Sequence, residues 1–274
     1  MLAATVLALT AAVLHAGWNL FAKRSGDPFL ALWGQFLIAG VVGAVLLVAT
    51  AGVPAGAWVW AIFSGCVHIV YLVALGWAYA HGDFSLAYPI ARGGGALLAA
   101  VGGIALLGDD MKWPSVAAIV VVVAGMALLA VGAERAEVWA ALIVAATIGA
   151  YTLSDSHAAR EYDADNYIFA TQAASGVTLT LAGLAMGRGR DLAAFLSKAW
   201  KRTTVAAAMT IVAYGLVLIA VQRAPVGYVA ALRESSVLIA VFVGSRYLGE
   251  ERGRTRMLAA GLIVGGLVLL VLSR

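Results

Sequence analysis

The chain has 274 residues, of which 63% are apolar and 12% are charged, whereas soluble domains average about 45–50% apolar and about 25% charged residues. With only 18 basic and 14 acidic residues and a mean hydropathy of +0.96, it lacks the charge that a water-exposed surface needs, which excludes a soluble globular protein. The basic residues lie in short clusters beside apolar runs, as in the loops of membrane proteins, so we expect no nucleic acid as a partner.

Ten apolar segments are long enough to cross a bilayer, which takes about 20 residues for a helix. Short connections rich in Gly, Pro and Asp separate them, and most are too short to cross back, so neighbouring spans are expected to run antiparallel. The first segment lacks a positively charged leader and is expected to be a retained span rather than a signal peptide. We therefore predict an all-α polytopic membrane protein with ten transmembrane helices. The spans cover residues 2–22, 29–50, 57–80, 85–107, 114–132, 138–157, 166–187, 203–222, 226–248 and 255–273.

The second half of the chain resembles the first half. When the chain is aligned with itself so that Arg92 meets Arg233, the string Leu107-Gly108-Asp109-Asp110 falls on Leu248-Gly249-Glu250-Glu251 without a gap. We call this the Arg92–Arg233 alignment. Apolar helices resemble one another by composition alone, but coincident Arg, Gly and Leu-Gly-acid-acid at one offset favour a true repeat.

The repeat predicts an inverted topology. Each copy holds five spans, an odd number, so the second copy must enter the membrane from the opposite side. We place the two five-helix repeats at residues 1–133 and 134–274. In transporters built this way, the substrate site lies near the midplane between two halves that rock about it.

These features carry a resemblance to a known family. A ten-span chain in two halves, each ending its fourth span with Leu-Gly-(Asp/Glu)-(Asp/Glu) before a Gly-containing fifth, resembles the drug/metabolite transporter (DMT) superfamily. Within it, the chain is most similar to the EamA-type exporters, including the YddG-like amino-acid exporters. The resemblance implies a multi-pass protein of a bacterial inner membrane, with a central cavity, that exports small metabolites, commonly amino acids. Members usually carry a basic segment between spans two and three, and residues 52–57 hold none.

The loop charges predict an orientation. Loops after odd-numbered spans carry eleven Lys and Arg residues, while the termini and the other loops carry four. By the positive-inside rule this count puts both termini outside the cell. The resemblance implies that both termini are inside, so the two criteria disagree.

Four full charges lie well inside the predicted spans: Arg92, Asp155, Arg233 and Glu234. Each costs about 2.5–3.5 kcal/mol at the bilayer centre even on the insertion scale, so each must be paired or hydrated. Two charges of each sign allow two interpretations: salt bridges that hold helices together, or cavity residues that meet a charged substrate or a proton. Because adjacent helical residues point about 100° apart, only one of Arg233 and Glu234 can face the same cavity.

Polar and aromatic side chains accompany these charges at helical spacing. In span one they fall at i, i+3 and i+4, and span six repeats that spacing when His15 is aligned with Tyr151, which we call the His15–Tyr151 alignment. The resemblance implies that spans one, three, four, six, eight and nine surround the centre. Trp and Tyr also gather at membrane interfaces, and a lone His often only packs, so both alternatives stay open. The candidate substrate-binding residues are His15, Trp18, Asn19, His68, Tyr71, Tyr88, Arg92, Tyr151, Ser154, Asp155, Tyr214, Arg233 and Glu234.

Small residues predict two further features. Pro89 and the glycines at 93–95 flank Arg92, which predicts a bend or local unwinding of span four there. In span ten, Gly261 and Gly265 predict a close helix contact, with span five rather than with a second copy, so we expect a monomer.

Enzyme signatures are absent from the sequence: it has no His-Glu-x-x-His, no Gly-x-Ser-x-Gly and no P-loop. The string Ser154-Asp155-Ser156-His157 cannot form a catalytic triad, because consecutive helical residues fan out around the axis. The single cysteine, Cys66, offers neither a disulfide nor a cysteine metal site. We expect no enzymatic activity, no metal and no cofactor.

The sequence therefore favours a transporter that exports a small zwitterionic or hydrophobic metabolite, with amino acids, including aromatic ones, as the first candidates. Arg92 is expected to hold a carboxylate, and Asp155, or else Glu234, to meet an ammonium group or a proton. Its partners would be the small-molecule substrate, the lipid bilayer and protons. Two alternatives are a flippase for lipids or lipid-linked headgroups, which would need an apolar lateral opening, and a membrane scaffold that transports nothing.

Overall fold

The computed structural model describes residues 2–50, 52–107, 113–162, 164–224, 226–249 and 253–272. Within these ranges the chain is all-helical, without a strand. Seven of the helices are long and apolar enough to cross a membrane. The eleven helices are α1 (Leu2–Arg24), α2 (Pro28–Ala49), α3 (Ala55–His81), α4 (Phe84–Leu107), α5 (Trp113–Ala130), α6 (Arg135–Glu161), α7 (Ala164–Ala185), α8 (Gly189–Val221), α9 (Val226–Arg233), α10 (Ser236–Tyr247) and α11 (Gly253–Leu272).

The helix count differs from the predicted ten because the ninth predicted span is interrupted. A turn at Glu234 and Ser235 separates α9 from α10. Backbone hydrogen bonds tighten there to the i→i+3 form, with the Ser235 amide donating to the Leu232 carbonyl at 3.2 Å and the Val237 amide to the Glu234 carbonyl at 2.9 Å. Arg233 and Glu234 are both buried, and a regular helix would point adjacent side chains about 100° apart. The turn lets both charges stay inside the protein.

Span four, by contrast, continues as a helix where a bend or unwinding was predicted. Helix α4 runs from Phe84 to Leu107 with Pro89 inside it. Its glycines serve close packing: Gly93 lies against Ile263 of α11, and Gly94 lies against Ala145 of α6. The absent side chains thus bring α4 close to two neighbours, and the interruption falls instead at the corresponding place in the second half.

Helix α8 begins much earlier than predicted. It spans 33 residues from Gly189, whereas the predicted span starts at residue 203 and leaves 188–202 as a basic loop. At 1.5 Å per residue α8 is about 50 Å long, well beyond the roughly 30 Å hydrocarbon thickness. The extension is stabilised because Leu192 and Leu196 pack over Gly34 of α2, which has no side chain in the way.

Helices α2 and α7 cross in close contact at two glycines. A Cβ atom placed on Gly40 would lie 2.7 Å from the Cα of Gly176, and one on Gly176 would lie 2.7 Å from the Cα of Gly40. One turn further along α2, Gly43 lies against the Phe169 carbonyl. As the residue number rises in α2 it falls in α7, so the two helices pack antiparallel.

Helices α5 and α11 pack in the same manner. A Cβ atom on Gly125 would lie 2.8 Å from Ile263, and one on Gly266 would lie 2.7 Å from Val122. These helices are therefore also antiparallel neighbours. Spans five and ten do meet as expected, but not through the predicted glycines, because no atom lies within 4 Å of a Cβ placed on Gly261 or Gly265.

Helices α1, α2, α3, α6, α7 and α8 pack on one another at the centre of the molecule. Helix α1 packs on α8, α3 packs on both α6 and α7, and α2 packs on α7 and α8. Helix α4 packs on α6 and, with α1, against α9 and α10. The Leu-Gly-acid-acid motifs lie largely outside the described residues, at 108–110 and 250–251.

Candidate functional site

A small cavity lies among the six central helices, and we call it the central cavity. Its volume is about 30 Å³, enough for about one or two water molecules and too small for an amino acid. Its walls are mainly aromatic, with hydroxyl and amide groups between the rings. The lining residues are His15, Trp18, Phe36, His68, Tyr71, Tyr151, Thr171, Gln172, Ser175, Thr210 and Tyr214.

Ring contacts hold the aromatic wall together. The imidazole of His68 stacks on Tyr151 with 4.5 Å between ring centroids, and it meets Phe36 and Tyr71 edge-on at 5.5 Å each. Tyr151 also meets Tyr214 edge-on at 5.9 Å. Such pairs contribute about 0.5–1.5 kcal/mol beyond their buried area, so His68 and Tyr151 form a rigid centre of the wall.

Six predicted site residues line the central cavity: His15, Trp18, His68, Tyr71, Tyr151 and Tyr214. The other seven are buried but are not part of its lining: Asn19, Tyr88, Arg92, Ser154, Asp155, Arg233 and Glu234. The side chains of Ser154 and Asn19 form hydrogen bonds to other groups of the protein. The Ser154 hydroxyl donates to the Tyr151 carbonyl at 3.1 Å, and the Asn19 amide donates to the His15 carbonyl at 2.7 Å.

Five lining residues were not predicted, and they correct the expected set of helices. Phe36 comes from α2, Thr171, Gln172 and Ser175 come from α7, and Thr210 comes from α8. The lining thus draws on α1, α2, α3, α6, α7 and α8, whereas the expected set had spans four and nine in place of two and seven. Helices α2 and α7 reach the cavity because their contact at Gly40 and Gly176 brings their backbones together.

Asp155 is buried in a cage of hydroxyl groups. Its carboxylate accepts hydrogen bonds from Ser64 at 2.8 Å, Tyr167 at 2.7 Å and Tyr214 at 2.5 Å. These donors come from α3, α7 and α8, so the Asp155 carboxylate of α6 connects four helices. Asp155 does not pair with Arg92, since both of its oxygens accept from hydroxyl donors and Arg92 binds Glu234.

Asn19, which the His15–Tyr151 alignment superimposes on Asp155, has a similar but smaller role. The Asn19 side-chain oxygen accepts a hydrogen bond from the Tyr79 hydroxyl at 2.6 Å. Asn19 lies one turn after the cavity residue His15, and Asp155 lies one turn after the cavity residue Tyr151. Each of the two accepts a hydrogen bond from a tyrosine hydroxyl.

The other three intramembrane charges, Arg92, Arg233 and Glu234, form a group that we call the arginine cluster. Arg92 donates two hydrogen bonds to Glu234, from Nε to Oε2 at 3.2 Å and from Nη2 to Oε1 at 2.9 Å. The pair joins α4 to the turn between α9 and α10. On the other side of that turn, the Tyr88 hydroxyl donates to the Ser236 hydroxyl at 3.0 Å, so α4 fixes both ends of the interruption.

Arg233 differs from Arg92 in having no hydrogen bond. Its Nε lies 3.6 Å from Oε1 of Glu234, an ion-pair contact too long for a hydrogen bond. Its guanidinium is 1% exposed, and none of its three nitrogens has a hydrogen-bond partner among the described residues. A buried donor without a hydrogen-bond partner costs about 1–3 kcal/mol, so this arrangement is one that a bound acceptor would stabilise.

The arginine cluster is close to the cavity wall. Helices α9 and α10, between which Arg233 and Glu234 lie, both pack on α1, which carries His15 and Trp18 of the wall. Trp18 adds another free donor, because its indole Nε1 is buried without a hydrogen-bond partner among the described residues. Within the described part of the chain, no three His, Cys, Asp or Glu side chains lie together as metal ligands would.

Comparisons with known proteins identify the family. Residues 135–272, half of the chain, match the EamA-like transporter family. A crystal structure of another protein shares the fold, with a TM-score of 0.68 at 20% sequence identity, over 98% of this chain and 96% of that chain. No curated protein matches. The members of this family are transporters, which move small molecules across membranes, rather than typical enzymes. This chain, an integral multi-pass membrane protein, belongs to the EamA-like transporter family.

Proposed function

We propose that this protein exports small metabolites, with amino acids as the first candidates, by alternating access through the central cavity. The observation that carries the proposal is the cavity itself. Aromatic rings from both halves of the chain enclose it, and buried charges lie directly behind its wall. Intramembrane ionisable residues near a cavity are the usual mark of a substrate or ion pathway.

The proposal includes two inverted halves, residues 1–133 and 134–274, with α9 and α10 together acting as one of ten spans. Gly40 and Gly176, which touch each other, are superimposed by the His15–Tyr151 alignment. Gly125 and Gly266 are superimposed by the Arg92–Arg233 alignment, and so are their partners Val122 and Ile263. Contacts that exchange places in this manner are those of a two-fold axis. Because both helix pairs are antiparallel, the axis would run across the helices and thus in the membrane plane.

The central cavity would lie on this axis, between the halves. Its lining includes His15 and Tyr151, and also Phe36 and Gln172, which the same alignment superimposes. A site shared by two such halves can be exposed to either side of the membrane by rocking one half against the other. Its volume of about 30 Å³ is too small for a metabolite, so loading one requires the halves to move apart.

The roles of the lining residues follow from their chemistry. The rings of Trp18, His68 and Tyr151 offer an apolar and aromatic wall to a substrate side chain. Asp155, behind Tyr214, would take up a proton or face an ammonium group when the cage of hydroxyls opens. We further propose a monomer in a bacterial inner membrane, with both termini outside as the loop charges favour.

A flippase for lipids or lipid-linked headgroups is less well supported. An apolar groove of about 600 Å³ lies between α3 and α6, and it is of a size to hold an acyl chain. The groove meets the need for an apolar lateral opening, but a headgroup would also need polar contacts along its path, and the lining of the groove, including Val73, Trp77, Trp139 and Ile143, supplies none. A scaffold without transport would have no need of free buried donors such as the Arg233 guanidinium.

The proposal is tested in cells that overproduce the protein, challenged with toxic amino-acid analogues and dipeptides. We expect greater tolerance and faster efflux of labelled amino acids than in control cells. Tyr151→Ala, which opens the cavity wall, should abolish the effect, while Tyr247→Ala at an exposed site should retain it. Unchanged tolerance and unchanged efflux across a broad panel would refute amino-acid export and favour the flippase.

A further inference from the structure

We propose that the free guanidinium of Arg233, rather than that of Arg92, binds the substrate, and that the group it binds is a carboxylate. The inference rests on the proposed function and deepens it, since it assigns the substrate class and the residue that selects it. Arg92 and Glu234 then act as positioning residues that keep Arg233 available.

Arg92 and Arg233 differ in whether their N–H donors already have acceptors. Arginine carries five N–H donors in a planar fork that suits a carboxylate. In Arg92 this fork already grips both oxygens of Glu234, at 3.2 and 2.9 Å. In Arg233 no nitrogen has a hydrogen-bond partner among the described residues, although the side chain is buried. Only the second fork is ready to bind a carboxylate without first breaking an internal hydrogen bond.

The arginine cluster carries an unbalanced positive charge. Arg92 and Arg233 both contact Glu234, and the three groups together carry one net positive charge. Asp155 does not neutralise it, because its two oxygens accept from Ser64, Tyr167 and Tyr214. One monovalent anion would balance the cluster, whereas a cation would add to the surplus.

The turn determines where Arg233 lies. Arg233 is the last residue of α9, and the amides of Ser235 and Val237 that follow it already donate to backbone carbonyls. The interruption therefore offers an anion the guanidinium of Arg233 rather than backbone N–H groups. Transporters with discontinuous helices likewise bind substrate groups at such interruptions.

The location gives the rest of the ligand a place. Arg233 ends α9, which packs on α1, the helix that carries His15 and Trp18 of the cavity wall. A carboxylate held by Arg233 would direct the body of its molecule toward these rings, where the indole N–H of Trp18 has no hydrogen-bond partner among the described residues. The substrate class is therefore a monocarboxylate with an apolar or aromatic body, of which amino acids are one case.

Arg92 has a separate task in this arrangement. Glu234 lies only 3.6 Å from the Arg233 guanidinium, and it would neutralise Arg233 if it were free to turn. The two bonds from Arg92 hold it away. Arg92→Gln should therefore raise the Kd for a carboxylate, measured on the folded variant at a temperature well below its melting point, and adding Glu234→Gln should lower that Kd again.

The test uses three probes of similar body on purified full-length protein, with thermal shift as the measurement. The probes are 3-phenylpropionate, which has only a carboxylate, 2-phenylethylamine, which has only an amine, and neutral 3-phenylpropanol. We expect 3-phenylpropionate to stabilise the wild type and the other two to have little effect. Because these measurements use the wild type, they do not depend on the folding of any variant.

Variants then identify the residue. Arg233→Gln should weaken 3-phenylpropionate binding at least tenfold, while Arg223→Gln, at an exposed arginine whose Nη1 bonds only the Ile219 carbonyl, should bind as the wild type does. Equal binding by Arg233→Gln and the wild type would overturn the inference. A shift with the amine but not the carboxylate would also overturn it, while leaving export in place. No shift with any probe would overturn it as well, and the efflux assay alone would then decide the proposed function.

Discussion

Arg92 and Arg233 are equivalent in the repeated sequence, and both are buried inside the membrane-embedded protein. Their surroundings differ. Arg92 lies in the unbroken helix α4 and is held by two bonds to Glu234, whereas Arg233 ends α9 at an interruption and forms no hydrogen bond within the described chain. Equivalent residues in the two halves have thus become a structural group in one half and a free group in the other.

In the proposed duplication, superimposed residues would have different tasks in the two halves. The position equivalent to Glu234 in the first half is Gly93, which packs against Ile263. One half therefore supplies a close helix contact where the other supplies an acid. With a single acid between two arginines, one positive charge in the cluster is left unbalanced.

The largest effect is expected from removing the held arginine. Arg92→Met leaves Glu234 buried without its two strongest donors, and we expect a loss of about 3–5 kcal/mol of stability. Adding Glu234→Gln, which removes the acid as well, should recover most of the loss. The measurement is the melting temperature of the purified variants, and an unchanged value for Arg92→Met would contradict a structural role.

A second effect tests the symmetry that the comparison assumes. Gly40→Ala and Gly176→Ala each place a Cβ 2.7 Å from the other helix backbone, and we expect each to cost about 1–3 kcal/mol through overpacking. Gly261→Ala, with no atom within 4 Å, is the matched control and should be neutral or slightly stabilising. Clearly unequal losses at Gly40 and Gly176 would argue against a two-fold axis between them.

A third change examines whether Asp155 is independent of the arginine cluster. Asp155→Asn keeps the volume but turns an amide group toward hydroxyl donors, and we expect a cost of about 1–3 kcal/mol. Binding of 3-phenylpropionate should remain, because the carboxylate of Asp155 bonds to hydroxyls rather than to Arg233. Loss of binding in this variant, measured by thermal shift, would show that the two groups are coupled.

The smallest effect on stability is expected from removing the free arginine. Arg233→Met replaces a buried guanidinium that has no hydrogen bond with an apolar chain of similar length. We expect the melting temperature to stay the same or to rise, by about 1 kcal/mol in stability at most, because a functional charge is often retained at a cost. A large loss, comparable to that of Arg92→Met, would mean that both arginines are structural.

Much of the fold could be predicted from the sequence because bilayer thickness and backbone satisfaction restrict a membrane chain to long helices. The interruption of the ninth span could not, since neither proline nor glycine lies at Glu234 and Ser235. Pro89 and the glycines at 93–95 pointed to α4 instead. Those glycines are used for packing, and the interruption follows from two adjacent buried charges in the other half.

The candidate site was predicted only in part. Residues such as His15 and Tyr151 were found because a polar or aromatic side chain recurs on one face of an apolar helix. The polar residues Thr171, Gln172 and Ser175 in span seven carry the same signal and could have been found by it. Phe36 could not, because a phenylalanine facing a cavity and one facing lipid look alike in a sequence.

The pairing of the charges was also beyond the sequence. Two arginines and two acids allow several pairings, and the choice depends on how each helix is rotated about its axis. Only the structure reveals that Arg92 pairs with Glu234, while hydroxyl groups donate hydrogen bonds to Asp155.

The central claim is that Arg233 binds the transported molecule while Arg92 holds the site in shape. It is tested most directly by counterflow of a labelled amino acid, chosen from the efflux assay, into liposomes that contain wild-type protein or Arg233→Met. We expect the wild type to accumulate label and Arg233→Met to accumulate none, although the variant melts at the same temperature or higher. Accumulation by Arg233→Met at the wild-type rate would contradict the account.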